Sequence, residues 1–331
     1  MNTGKLSIND LTRMLERYRG AERSEVLLAG APGEDASYLN VGDKTLVLST
    51  DPVTAAESSL GTIAFHVNLN DIASAGAEGL GILVTILLPP ASKPELIDEI
   101  MGELHELCLK HRVQILGGHT EVTDAVTRPV VSVTAVGVME KGEEIYSGNM
   151  KSGDRLVVSK HLAIEGTLIL ADQLGDRVHD ILTAAELAEV AETAGLLSVI
   201  PEGKVGRALK VHSMHDITEG GVLGAVYEAA QASGVGCIID ESSLPFQDST
   251  RKLADHLKLD VTRLISSGSM LFGTDDAEAL VAELEKQGIP ATVIGEVTAG
   301  EAFFLRQSDG ELIPFDPPQR DEIYGIFKEK V

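Results

Sequence analysis

His66-Val67-Asn68-Leu69-Asn70-Asp71-Ile72-Ala73-Ser74-Ala75-Gly76-Ala77-Glu78-Gly79 reads as a helix that is apolar on one side. Ile63, Val67 and Ile72 supply bulk, while Ala64, Ala75 and Ala77 are small enough to let neighbouring backbones come close. Asn68, Asn70 and Asp71 stand in the middle of it. Such residues are usually solvated on an exposed face. Inside an apolar helix an unpartnered amide or carboxylate is costly, so these three call for partners. Other carboxylates stand at abrupt ends of apolar runs: Asp35 in Gly33-Glu34-Asp35-Ala36, Asp51 in Ser49-Thr50-Asp51-Pro52, and Asp216 in His215-Asp216-Ile217-Thr218-Glu219-Gly220-Gly221.

Composition narrows the functions available to the chain. Its 331 residues suffice for two domains, and 44% hydrophobic against 24% charged residues describes a globular protein. The formal net charge is -24. A surface of that sign repels nucleic acid and anionic membranes, and an anionic small substrate would need metal ions to offset the repulsion. Trp is absent and aromatics make up only 4%, which removes base stacking as a theme. Cys108 and Cys237 read as buried apolar thiols rather than ligands, which suits a reducing compartment. Met1 to Asp10 carries no apolar signal region, and the longest apolar run, Ile82 to Pro90, is too short to span a bilayer. The expectation is a soluble cytoplasmic protein.

Along the chain, Ser7-Ile8-Asn9-Asp10 opens a helix, and Tyr38–Val41, Gly42-Asp43 and Lys44–Ser49 read as a hairpin. Strand alternation puts Val47, Ser49 and Asp51 on one face. Strands are expected at 80–88, 113–116, 130–139, 155–159, 209–214, 237–240, 291–297 and 302–306, with one more entered from the turn at 266–269. Helices are expected at 96–111, 162–174, 184–197, 222–233, 276–287 and 321–330. The polar, glycine-containing segment 142–154 divides the chain into domains 1–150 and 151–331. The alternation argues for α and β layers in each half.

No Walker phosphate loop, Rossmann glycine pattern, zinc-spaced Cys/His set or serine-hydrolase elbow is present. What remains is the set of carboxylates. Mg²⁺ takes oxygen ligands, commonly carboxylates together with substrate phosphates. Each Asp also has a plain role open to it, as turn, strand end or helix cap. Gly117-Gly118-His119-Thr120 follows a strand; its glycines would let N–H groups reach an anion, or only make a tight turn. Gly220-Gly221 at a helix start suits phosphate. Ser266-Ser267-Gly268-Ser269 would bind ligand through hydroxyls or only turn.

Taken in order, these motifs resemble the superfamily of aminoimidazole ribonucleotide synthetase, selenophosphate synthetase, thiamine-monophosphate kinase and the hydrogenase maturation factor HypE. Gly153-Asp154-Arg155-Leu156 and Glu165-Gly166-Thr167 complete the set, which runs from about residue 33 to 273. Gly118-His119-Thr120-Glu121-Val122-Thr123 and Glu165-Gly166-Thr167 look most like HypE.

The resemblance implies an N-terminal α/β domain whose strands pair across a homodimer into a β-barrel, and a C-terminal α+β sandwich domain. It implies ATP in the cleft between domains, with Mg²⁺ on Asp35, Asp51, Asp71 and Asp216. Asn70 would touch phosphate, and Gly117, Gly118, His119 and Thr120 would line the nucleotide site. Asp51 and Asp71 would carry the chemistry: ATP-dependent phosphorylation of an amide- or carbonyl-type oxygen. HypE itself acts on a cysteine at its own C-terminus, whereas this chain has no cysteine after Cys237. Nor does it show the reactive N-terminal Cys or Lys of selenophosphate synthetases, Lys5 being the only candidate. The reading is a HypE-like homodimeric enzyme acting on an unknown acceptor, with a maturation protein as a further partner. A small-molecule kinase and a non-catalytic nucleotide-binding scaffold are the alternatives.

Overall fold

The computed structural model describes residue 6 and residues 8–54, 58–316 and 320–326. Ser7, Lys5 and the end of the helix expected at 321–330 lie outside the described residues. The chain divides into two compact units. One comprises residues 22–29 and 35–144. The other comprises residues 145 onward together with 30–34 and the described residues up to Ala21, so these early segments group with the second unit.

The elements run α1 (Ile8–Arg17), β1 (Val26–Leu28), β2 (Ser37–Val41), β3 (Lys44–Val53), α2 (Leu60–Ser74) and β4 (Glu78–Leu88). Then come α3 (Glu95–His111), β5 (Gln114–Val122), β6 (Val130–Glu140), β7 (Arg155–Ser159), α4 (Ile164–Leu174), α5 (Ala184–Thr193) and α6 (Ile200–Leu209). The remainder is β8 (Ser213–Ile217), α7 (Gly221–Ala232), β9 (Gly236–Asp240), α8 (Asp248–Leu257), β10 (Ser269–Thr274), α9 (Ala277–Lys286), β11 (Ala291–Thr298), β12 (Phe303–Arg306), β13 (Leu312–Pro314) and α10 (Ile323–Ile326).

In the first unit six strands form one sheet in the order β1-β2-β3-β6-β4-β5. The β2–β3 hairpin turns at Gly42-Asp43, as the sequence suggests. Thr45, Val47 and Ser49 are buried on alternate positions of β3, and Val131, Val133, Ala135 and Met139 likewise on β6. That face carries α2, which packs on β3, β6 and β4, with α3 beside it. Gly137 of β6 permits the close approach: a Cβ there would fall 2.4 Å from Ile72 Cγ2. α2 ends at Ser74, and Glu78-Gly79 already belongs to β4, so the helix stops before the end of the quoted stretch.

The second unit holds a seven-stranded sheet in the order β13-β12-β9-β11-β7-β10-β8. Leu156, Val157 and Val158 of β7 are all fully buried, the pattern of a strand covered on both faces. α7 packs on β8 and β9, and α9 packs on β7 and β11. The outer edge of β8 is not bare: Ser147 Oγ donates to Met214 O at 3.0 Å, Ser213 Oγ to Ser147 O at 2.7 Å, and Asn149 Nδ2 to His212 O at 3.0 Å.

Both sheets are open, ending in β1 and β5 and in β13 and β8, so neither closes into a barrel within this chain. The strand expected at 209–214 is instead β8, shifted to Ser213–Ile217. Among the described residues no helix is long and apolar enough to cross a membrane. Both cysteines are buried, and burial pushes the Cys108 thiol up to about 11 and Cys237 to about 12, which makes them inert apolar groups.

Candidate active site

The C-terminal half of α2 is buried on every side, from Asn68 through Ser74. Asn68 and Asn70 are 0% exposed and Asp71 6%, so the solvated reading of these residues does not apply. Asn68 accounts for its buried amide by clasping the neighbouring strand. Its Oδ1 accepts from Asp51 N at 2.8 Å, and its Nδ2 donates to Asp51 O at 3.2 Å and Ala64 O at 2.9 Å. The clasp fixes the backbone of β3 at Asp51 against α2.

Two positions earlier on β3, Ser49 donates to the Asp71 carboxylate. One turn along α2 from Asp71, Ser74 has its hydroxyl 3.0 Å from Asp35 Oδ2 and 2.9 Å from Asp71 O. Thus a strand hydroxyl and a helix hydroxyl orient two carboxylates. One oxygen of Asp35 and one of Asp71 lie within 4.8 Å of each other. The donors are all hard oxygens, the set Mg²⁺ selects. Asp51 is held through its backbone and is not part of this carboxylate grouping among the described residues. Ser49 and Ser74 escaped the sequence reading, although Ser49 shares a strand face with Asp51 and Ser74 lies three positions after Asp71.

Gly117, Gly118, His119 and Thr120 do not form a turn. They continue β5, the parallel neighbour of β4 and an outer strand of the sheet, and all are exposed. Gly118 has φ +149 and a Cβ there would fall 1.8 Å from Val84 O, so the pairing with β4 itself demands glycine. His119 Nε2 lies 3.3 Å from Glu121 Oε2, both groups exposed.

In the second unit Asp216 sits on β8 and is almost fully buried. His215 beside it has Nδ1 3.2 Å from Ser147 Oγ and Nε2 3.5 Å from Glu228 Oε2. Glu34, in the loop before Asp35, accepts from Ser147 N at 3.1 Å and Gly148 N at 2.8 Å. The N–H groups of Gly220 and Gly221 have protein acceptors. Gly220 donates to Asp321 Oδ2 at 2.6 Å and Gly221 to Thr218 O at 3.2 Å. A carboxylate of the chain itself therefore stands at the start of α7, where the sequence suggested phosphate. The Ser266 hydroxyl accepts from Ala163 N at 2.7 Å and so serves the turn into α4.

The family model for the AIR synthase related protein N-terminal domain matches residues 33–139, and that for the C-terminal domain matches residues 151–307. The chain belongs to the AIR synthase related protein family. This AIR synthase related chain is 27% identical over 275 residues to a putative hydrogenase expression/formation protein of Methanocaldococcus jannaschii, covering 80% of this chain and 79% of that protein. It is also 27% identical over 293 residues to carbamoyl dehydratase HypE of Rhodobacter capsulatus, covering 87% and 83%.

Solved structures share the fold. A HypE–HypF complex gives TM-score 0.73 at 21% identity, covering 86% of this chain and 93% of that one. HypE in complex with ATP gives 0.72 at 19%, covering 97% and 98%. Thiamine-monophosphate kinase of Stenotrophomonas maltophilia gives 0.68 at 24%, covering 95% and 99%. Asp35, Asp51 and Asp71 fall in the matched N-terminal domain and Asp216 in the matched C-terminal domain.

Proposed function

We propose that this AIR synthase related chain is an ATP- and Mg²⁺-dependent enzyme that phosphorylates an amide- or carbonyl-type oxygen on a small or carrier-bound acceptor. The observation that carries this reading is the Asp35–Asp71 pair, oriented by Ser74 and Ser49. Relatives named carbamoyl dehydratase and the fold shared with an ATP-bound HypE support it. Asp35 and Asp71 would hold the metal, with Asp216 and Asp51 as the further carboxylates that the family resemblance assigns. Bound Mg²⁺ would offset phosphate charge and stabilise the transferred phosphoryl group.

The chain's own residues prepare that site. Ser49 and Ser74 hold the two carboxylates in orientation, so little reorganisation is left for the reaction. The buried surroundings of Asn70 and Asp71 keep water away from one side of the pair. Phosphorylation turns a carbonyl-type oxygen, a poor leaving group, into one that departs as phosphate. A dehydration then follows without a redox partner.

A second copy of this chain is proposed to pair along β5. Its edge is open, and Leu116 and Val122 on it are 50% and 60% exposed. Such an edge is an aggregation hazard unless covered. The dimeric barrel and the glycine, His119 and Thr120 contacts to nucleotide belong to this proposal. A maturation partner protein is proposed from the HypE–HypF complex alone.

The test is phosphate release from ATP and Mg²⁺ with a panel of carboxamide acceptors and phosphorylated alcohols. Acceptor-stimulated release with loss of the carboxamide oxygen supports the dehydratase reading. Stable transfer of phosphate to a phosphorylated alcohol would assign a kinase. Nucleotide binding without stimulation by any acceptor would assign a scaffold.

A further inference from the structure

The segment Arg320–Ile326 packs back onto the loop that follows Asp216. Asp321 is 4% exposed, and its two oxygens accept from Gly220 N at 2.6 Å and Ile323 N at 2.8 Å. Tyr324 donates its hydroxyl to Glu219 Oε1 at 2.8 Å. Ile323 is buried in an apolar cluster with Leu170, Leu174, Leu253 and Leu264. Helix start, loop and the segment Arg320–Ile326 are thereby fastened at three points.

The charges around this contact are mostly of one sign. Glu219 of the loop raises the cost of ionising Asp321, and Asp321 and Glu219 together raise that of Glu165 of α4. Two cations, Arg320 and Arg263, flank the contact. Arg320 stacks over the Tyr324 ring at 5.0 Å and donates to Tyr324 O, while Arg263 donates to Asp316 O and lies 3.5 Å from Asp260.

We infer that Arg320–Ile326 is a latch on the Thr218–Gly221 loop, one that protons tighten. Burial pushes Asp321 up to about 6 from its ordinary 3.8, against the pull of its backbone hydrogen bonds. Burial likewise pushes Glu165 up to about 6 from 4.5. A carboxyl whose value is raised in the docked state binds its proton more tightly there than when free in water. Docking therefore strengthens as pH falls below about 6 and loses that gain as pH rises through 6. For Asp321 alone the docking equilibrium changes about tenfold between pH 7.5 and 5.0. The latch is measured without nucleotide, so its outcome is independent of the proposed chemistry.

The experiment is hydrogen exchange on the full chain at pH 7.5 and 5.0, corrected for intrinsic exchange, following a peptide that spans Thr218 to Val222. The wild type is expected to gain about tenfold or more in protection at pH 5.0. Asp321→Ala should lower protection at both pH values. The double variant Asp321→Asn, Glu165→Gln keeps one acceptor oxygen at position 321 and removes both titrating groups, so it should lose the pH dependence even where its protection falls below that of the wild type, and it remains informative if Asp321→Ala does not fold. Equal protection of the wild type at both pH values, or an undiminished pH dependence in the double variant, overturns the latch.

Discussion

Ser74 Oγ lies 3.0 Å from Asp35 Oδ2, one helical turn beyond Asp71. The contact links the loop carboxylate to the helix that carries the buried one, and it does so with a side chain too small to fill the space where a ligand would sit. Ser74→Ala is expected to weaken Mg²⁺-dependent nucleotide binding about three- to tenfold, the value of one hydrogen bond of about 0.5–1.5 kcal/mol. Its melting temperature should stay near that of the wild type. Calorimetric titration paired with thermal unfolding checks both halves.

Asn68 has a different task. Because it pairs with both the N–H and C=O of Asp51, Asn68→Ala leaves two backbone groups without their partner and opens a space in the core. We expect a loss of roughly 2–4 kcal/mol, from bonds whose loss costs about 1–3 kcal/mol apiece. Urea unfolding followed by circular dichroism measures it. A loss below about 0.5 kcal/mol would mean that the clasp contributes nothing net.

Lys160 and Glu202 form an ion pair at 2.6 Å with side chains 8% and 0% exposed. Lys160 also donates to Ser198 O at 2.6 Å and Gly268 O at 2.8 Å, and so ties the loop before α6 to the turn entering β10. Burial lowers the Lys160 ammonium's value, and Glu202 partly opposes this. Lys160→Met strands a buried carboxylate and should cost about 3–5 kcal/mol, whereas adding Glu202→Gln should restore part of it. A double-mutant cycle in urea reads the coupling. Full additivity would show that the pair is not coupled.

Much of this was legible in the sequence, because the legible parts have local causes. The hairpin at Gly42-Asp43, the alternation of β3 and β6 and the amphipathic α3 follow from turn chemistry and side-chain period. The partners of Asn68 and Asp71 were not legible, since they come from β3, about twenty positions away. α6 was hidden by Pro201, Gly203 and Gly206. Yet Gly206 is where a Cβ would fall 2.3 Å from Met214 Sδ, so close packing overrides helix propensity there. In α8 only Leu253 and Ala254 supply buried apolar groups, too few to mark a period. Gly117-Gly118 suggests a turn from sequence, because glycine pairs usually mark one. Here they serve the approach of two parallel strands.

The open edge of β5 gives a prediction about assembly. Val122→Lys places a charge on an exposed position of that edge. If a second copy pairs there, sedimentation should shift from dimer to monomer with an unchanged circular dichroism spectrum. A monomeric wild type would remove the dimer from the proposal.

The measurement closest to the central claim is titration of the purified chain with ATP, with Mg²⁺ and with EDTA, for the wild type and Asp71→Asn. Saturable binding that requires Mg²⁺, and that falls at least tenfold in Asp71→Asn without loss of fold, is the predicted result (about 1.4 kcal/mol or more). Binding that ignores both the metal and the substitution would contradict the Asp35–Asp71 pair as a nucleotide–metal site.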